Sequence, residues 1–90
     1  MPSILVVDDN ALICQNLQNL LEDEGMEVIT FQDPLRALEY CRQSSCDLAI
    51  VDIRMPHMDG FELIQKMRSI QPSLRTLMIS SHYDDDESVA

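Results

Sequence analysis

Ile4-Leu5-Val6-Val7-Asp8-Asp9-Asn10 is the stretch on which the fold turns. Four consecutive apolar residues, three of them β-branched, read as a strand buried on both faces, because a strand with one wet face would alternate. The strand stops at two carboxylates, and Asn10 is a good helix N-cap. The pattern returns at Leu48-Ala49-Ile50-Val51, which also ends on a carboxylate, Asp52.

The rest of the chain fills in around these two strands. Ile13, Leu17, Leu20 and Leu21 recur at helical spacing, and Gly25 supplies the left-handed stop. Val28-Ile29-Thr30-Phe31 is the second strand. Asp33-Pro34 opens the second helix, with Asp as cap and Pro at the first helical position. Leu35, Leu38 and Cys41 form its apolar stripe, and Ser44-Ser45 ends it. Asp59 and Glu62 stand at capping-box spacing before a third helix, whose apolar face is Phe61, Ile64 and Met67. After the turn Gln71-Pro72-Ser73 comes a fourth strand, Leu74 to Ile79, ending in Ser80-Ser81. Asp84-Asp85-Asp86-Glu87 reads as the acidic first turn of a fourth helix. Strict β-α alternation predicts an α/β fold, a doubly wound parallel sheet with right-handed crossovers.

Composition sets the boundaries. Ninety residues predict one domain, 1–90. Sixteen acids against six bases give a net charge of -10. That balance speaks against direct nucleic-acid binding and against an anionic membrane, and it suits a divalent cation or a basic partner. No apolar run exceeds four residues, so no membrane-spanning helix is expected. Met-Pro-Ser-Ile-Leu has no basic n-region, so no signal peptide is expected, and a cytoplasmic location is the expectation. Cys14, Cys41 and Cys46 are odd in number and lack a Cys-x-x-Cys pair; they read as reduced thiols that pack as small hydrophobes.

Chemistry gathers at the strand ends. In an open parallel sheet, ligands bind beyond the carboxyl ends of the strands where strand order reverses. If the first and third strands are neighbours there, Asp8, Asp9 and Asp52 share one pocket. Three such charges repel, and a hard cation with oxygen ligands relieves the repulsion. Mg²⁺ takes a few carboxylates and keeps several waters, which fits an open site.

Asp52-Ile53-Arg54-Met55-Pro56-His57-Met58-Asp59-Gly60 follows. Together with the Leu-Val-Val-Asp-Asp start and the strand ending in Ser80, this D-x-R-M-P-x-M-D-G loop resembles receiver domains of two-component response regulators, over the whole chain. The resemblance implies a flavodoxin-like fold. It makes Asp52 the acceptor of a phosphoryl group from a histidine kinase or phosphotransfer protein. It implies Mg²⁺ held directly by Asp9 and Asp52, by Asp8 through water, and by the backbone carbonyl of Arg54. Ser80 matches the switch hydroxyl and Ser81 the small residue beside it. Met55-Pro56 fixes the loop's shape, and Gly60 allows close helix approach. His57 falls at a variable loop position and reads as a surface residue; His82 reads as an exposed loop residue near the pocket mouth.

The family pattern continues through a full fourth helix, a fifth strand and a fifth helix, with a lysine that pairs with the phosphoryl group. The only lysine here is Lys66, on the third helix. The expectation is therefore a receiver that stops before the fifth strand. Its alternative is a pseudo-receiver, an interaction module without productive phosphorylation. No enzyme is expected. A phosphatase working through an aspartyl phosphate would carry a second Asp where Arg54 stands, and a nucleotide-binding module would need a glycine-rich loop that Gly25 and Gly60 do not make. With the fourth strand at the sheet edge, homodimer formation through that edge is also expected.

Overall fold

The computed structural model describes residues 2–80. In chain order the elements are β1 (Ser3–Val7), α1 (Ala11–Asp23), β2 (Glu27–Phe31), α2 (Pro34–Gln43), β3 (Leu48–Asp52), α3 (Gly60–Ile70) and β4 (Arg75–Ile79). The strands are all parallel, in the order β2-β1-β3-β4. Helices cover both faces of this flavodoxin-like sheet. The expected fourth helix at residues 84–87 lies outside the described residues, as do Ser81 and His82.

Local chemistry sets the helix ends. Asn10 Oδ1 accepts from the N–H groups of Leu12 at 2.9 Å and Ile13 at 3.2 Å, meeting two donors that the first turn leaves over. Asp33 and Asp59 cap α2 and α3 in the same way, accepting from Leu35 N–H and Glu62 N–H. Gly25, at φ 87°, closes α1. Its N–H donates to Glu22 O and that of Met26 to Leu21 O, the paired bonds of a Schellman motif. α2 ends without a glycine. Instead the Gln71 amide donates to Cys41 O at 2.9 Å and Ser44 O at 2.7 Å, and its carbonyl accepts from Cys46 N–H at 3.3 Å. One side chain from beyond α3 thus satisfies the end of α2.

Strand alternation sorts the core into two layers. Leu5, Val7, Ala49 and Val51 face α2 and α3, meeting Ala37, Leu38, Cys41, Leu63 and Met67. Ile4, Val6, Val28 and Ile50 face α1, meeting Cys14, with Leu17 and Leu21 half-buried beside them. β1 lies between two strands and under both layers, and Leu5, Val6 and Val7 are wholly inaccessible, as the unbroken apolar run predicts.

The helix faces differ from the expected ones. In α3, Leu63 and Met67 are buried while Phe61 stands 62% exposed. In α2, Ala37 joins Leu38 and Cys41 against the sheet, and Leu35 points to solvent. In α1, Cys14 takes the innermost place and Leu20 is exposed. The cause is common to all three. Where the backbones approach closely, a small residue or one mid-helix Leu fills the gap, and bulkier apolar residues are turned to the flank. Leu74 precedes β4 rather than opening it, yet is buried. No helix among the described residues is long and apolar enough to cross a membrane.

Candidate functional site

β1 and β3 are neighbours at the centre of the sheet, with Val7 in register with Val51. Asp8 and Asp52 are each one residue further along, at the carboxyl edge. Here the strand order reverses, because the chain leaves β1 for β2 on one side and returns to β3 on the other. Asp8 and Asp52 are fully buried, and Asp9 is half-buried. The three offer carboxylate oxygens that all lie within 4.8 Å of one another.

Asp8 is held from several directions. Its Oδ1 accepts from Asn10 N–H at 2.9 Å, its own N–H donates to Phe31 O at 3.1 Å, and its carbonyl accepts from the Cys14 thiol at 3.3 Å. Cys14, which in the sequence reads only as a small buried hydrophobe, is a hydrogen-bond donor at the site. Its signal was its place six residues after Asp8, on the face of α1 that meets β1. Burial pushes its thiol pKa up, and the Asp8 and Asp9 charges add to that. The thiol therefore stays protonated and serves as a donor.

The loop after Asp52 is pinned at both ends. Ile53 N–H donates to Ile79 O at 2.9 Å, and Gly60 N–H donates to Ile53 O at 2.8 Å. Met55 and Met58 turn inward and are nearly buried, while Pro56 and His57 face solvent. Between the two methionines, Met58 N–H donates to Pro56 O at 2.8 Å, and His57 bridges the turn at φ 73°. A Cβ on Gly60 would collide with the Asp52 carbonyl oxygen. The glycine is thus required by the approach of α3 to the end of β3. Its φ is not in the left-handed region.

Arg54 is exposed and lines a shallow cleft with Asp9, Met55, Pro56 and Asp59. Ser80 is exposed just past β4, whose last residue, Ile79, is in register with Asp52. Lys66 lies away from this edge, on α3, 3.9 Å from Glu62. The donor set at the centre of the site is all carboxylate oxygen and carries concentrated negative charge. It fits a hard divalent cation such as Mg²⁺, and it lacks the imidazole and thiolate ligands that zinc prefers.

Comparison with known proteins points the same way. The family model of the response regulator receiver domain matches residues 4–90. A response regulator receiver protein of Anaeromyxobacter sp. (strain Fw109-5) is 37% identical over 86 residues, covering 96% of this chain and 36% of that protein. The chain thus spans about a third of that relative's length. The response regulator TrrA of Thermotoga maritima, solved in complex with Mg²⁺ and BeF, aligns with a TM-score of 0.82 at 36% identity, covering 98% of this chain and 78% of that one. A response regulator of Burkholderia pseudomallei, solved with a phosphorylated aspartic acid, calcium ion and citrate, aligns at 0.84 and 26% identity, covering 91% of this chain and 48% of that one. With the family pattern matched from the first strand to the last residue, and a four-stranded parallel sheet gathering three aspartates at its switch point, the chain belongs to the response regulator receiver domain family.

Proposed function

We propose that this chain is a phosphoacceptor signalling module of a two-component system, with Asp52 as the acceptor and a histidine kinase or phosphotransfer protein as the donor. The observation that supports it is the clustering of Asp8, Asp9 and Asp52 within 4.8 Å at the carboxyl edge. Asp9 and Asp52 would hold Mg²⁺ directly, Asp8 through water, and the Arg54 backbone carbonyl would complete the protein ligands. Bound there, the cation would offset charge on the carboxylates and the incoming phosphoryl group and orient an in-line transfer. An Asp52 carboxylate oxygen attacks phosphorus, the P–N bond to the donor histidine breaks, and the electron pair stays on the imidazole. The acyl phosphate so formed would carry about -2 charge and acceptor oxygens, to which the Ser80 hydroxyl would donate. Asn10 N–H and the Cys14 thiol keep Asp8 in position throughout.

On this reading the module works as a substrate and switch in the cytoplasm, with no turnover of its own. It makes no direct contact with nucleic acid or membrane, since its surface is acidic. Residues 1–90 act as one domain. The test is incubation with acetyl phosphate and Mg²⁺, followed by intact mass and peptide mapping. A gain of one phosphoryl group on Asp52, lost in Asp52→Asn and in EDTA, is the expected result. Labelling elsewhere, or none, would overturn it. One observation favours a second reading, an interaction module without productive phosphorylation. Lys66, the only lysine of these 90 residues, is on α3 beside Glu62 rather than at the acidic edge. Absence of labelling with intact folding would select that reading.

A further inference from the structure

The pairing of β1 with β2 runs out just where the acidic site begins. Asp8 N–H donates to Phe31 O at 3.1 Å, beyond the last register pair of the two strands, Val7 and Phe31. In a parallel ladder, a residue that donates to one strand accepts from the same strand two residues further on. The Asp8 carbonyl would therefore accept from Asp33 N–H. The chain has turned away by then: β2 ends at Phe31, and Asp33 caps α2. The Cys14 thiol supplies the donor instead, 3.3 Å from Asp8 O, with Phe31 O at 3.9 Å. Cys14 also holds a second carbonyl. Its backbone N–H donates to Asn10 O at 3.2 Å, as α1 begins.

Asp9 lies between those two carbonyls. The peptide before Asp9 is held by the thiol, and the peptide after it by the bond from Asn10 N–H to Asp8 Oδ1 at 2.9 Å. Peptides are planar, so fixing both flanking planes fixes the direction in which Asp9 projects its side chain. Of these bonds, the one from the thiol depends on the identity of residue 14. Cys14 is 5% exposed and packs with Ile4, Val6, Val28 and Ile50, a layer in which a plain apolar residue would fill the space as well. We propose that Cys14 is a positioning residue for the cation site, its thiol clamping the Asp8–Asp9 peptide so that the Asp9 carboxylate is aimed at Mg²⁺ before the ion arrives. This rests on the proposed function, in which Asp9 is a direct ligand. A carboxylate already aimed loses less freedom on binding, so the clamp acts on affinity, as the outer partners of metal ligands do.

Calorimetric titration of Mg²⁺ into the full 90-residue chain, with Cys14→Ser and Cys14→Ala beside it, tests the clamp. Ser keeps a donor and Ala keeps none. Cys14→Ala should bind Mg²⁺ about threefold to tenfold more weakly, the range of one neutral hydrogen bond, and Cys14→Ser should stay within about twofold of the wild type. Urea unfolding should rank the two differently. Ser brings a hydroxyl into an apolar layer and should be no more stable than Ala, so a packing role alone would not favour Ser in Mg²⁺ affinity. Infrared absorption in the S–H stretching region reads the wild type directly. The band that Cys14→Ser removes should already lie at the frequency of a hydrogen-bonded thiol before Mg²⁺ is added. Full Mg²⁺ affinity in Cys14→Ala would overturn the proposal, as would equal loss in both variants or a band at the frequency of a free thiol. Each of these leaves the proposed function standing, whereas a wild type that binds no Mg²⁺ would overturn both.

Discussion

Gly60→Ala couples the packing of α3 to the site more directly than any other single-atom change. A Cβ at position 60 would overlap the Asp52 carbonyl oxygen and lie 3.0 Å from Ile53 Cα and 3.1 Å from the Asp52 carbonyl carbon. All three are backbone atoms, so no rotamer relieves the clash. Either α3 backs away or the end of β3 moves. Overpacking of this kind costs about 1–3 kcal/mol, and the helix preference of Ala over Gly returns at most about 1 kcal/mol. The expected net loss is therefore about 1–2 kcal/mol, a sizeable part of a small domain's stability. Because the displaced peptide belongs to Asp52, Mg²⁺ affinity should fall several-fold as well. Gly25→Ala is the control: position 25 has open space around it but sits at φ 87°, so Ala there strains the backbone far from the carboxylates. It should cost about 1–2 kcal/mol and leave Mg²⁺ affinity unchanged. Urea unfolding followed by circular dichroism gives the stabilities, and calorimetric titration gives the affinities. A Gly60→Ala protein as stable as wild type with the same Mg²⁺ affinity would refute the claim that α3 is seated on the Asp52 peptide. Equal loss of affinity in both variants would refute the assignment of that loss to the clash.

Three further outcomes follow from single contacts. Gln71→Met keeps the side-chain length but removes three hydrogen bonds at the end of α2, and should cost about 2 kcal/mol in urea unfolding, since the Cys41 carbonyl and the Cys46 N–H are left part-buried and only the Ser44 carbonyl is exposed, where water can replace the amide. His57→Gly releases a side chain held at φ 73° and should raise stability by about 1 kcal/mol, with a lower melting temperature counting against strain at that turn. Burial pushes the Cys46 thiol from its ordinary 9.0 up to about 11, with Cys41 and Asp47 adding to the shift. A raised folded-state pKa gives stability that is whole below pH about 9 and is lost as pH climbs through about 11. Thermal melts should fall across that window, and Cys46→Ser should flatten part of the fall.

The strands and the helix starts were legible because their signals are local. Ile4–Val7 and Leu48–Val51 are unbroken apolar runs, and Asn10, Asp33 and Asp59 cap through their own side chains. Gly25 announces its turn, and strand alternation with the switch-point rule brings Asp8, Asp9 and Asp52 together on the condition that β1 and β3 are neighbours, which the sheet order supplies. Helix faces were less legible. Phe61, Leu35 and Leu20 fit a helical period as well as Leu63, Ala37 and Cys14 do, and only the sheet's approach decides which set is inside. The contacts of Gln71 span up to 30 residues and those of Gly60 reach a backbone eight residues away in the chain, so neither is written in any local pattern. Cys14 shows the same limit at the site. A thiol donating to the Asp8 carbonyl is indistinguishable in sequence from one that merely fills space.

The bonds around Asp52 also state how a change there can travel. On the β1 side, Asp8 is tied to Asn10, Phe31 and Cys14. On the α3 side, Gly60 N–H closes the loop onto Ile53 O, with Met55 and Met58 packed inward. Toward β4 the connection beyond the sheet ladder is the bond from Ile53 N–H to Ile79 O, and the next residue, Ser80, is exposed. On the proposed function, a phosphoryl group on Asp52 would add charge and acceptors at a point where two sides are bonded and the third leads to the exposed Ser80. The movement should therefore run through Ile53 and Ile79 to Ser80, as a local hydrogen-bonding event that biases one segment. Amide exchange before and after acetyl-phosphate treatment reads this directly. Ile53, Ile79 and Ser80 should change, while Asn10 and Gly60 keep their protection. Equal change at all five amides would mean that the whole carboxyl edge loosens together, and that the bonds on the β1 and α3 sides do not confine the response.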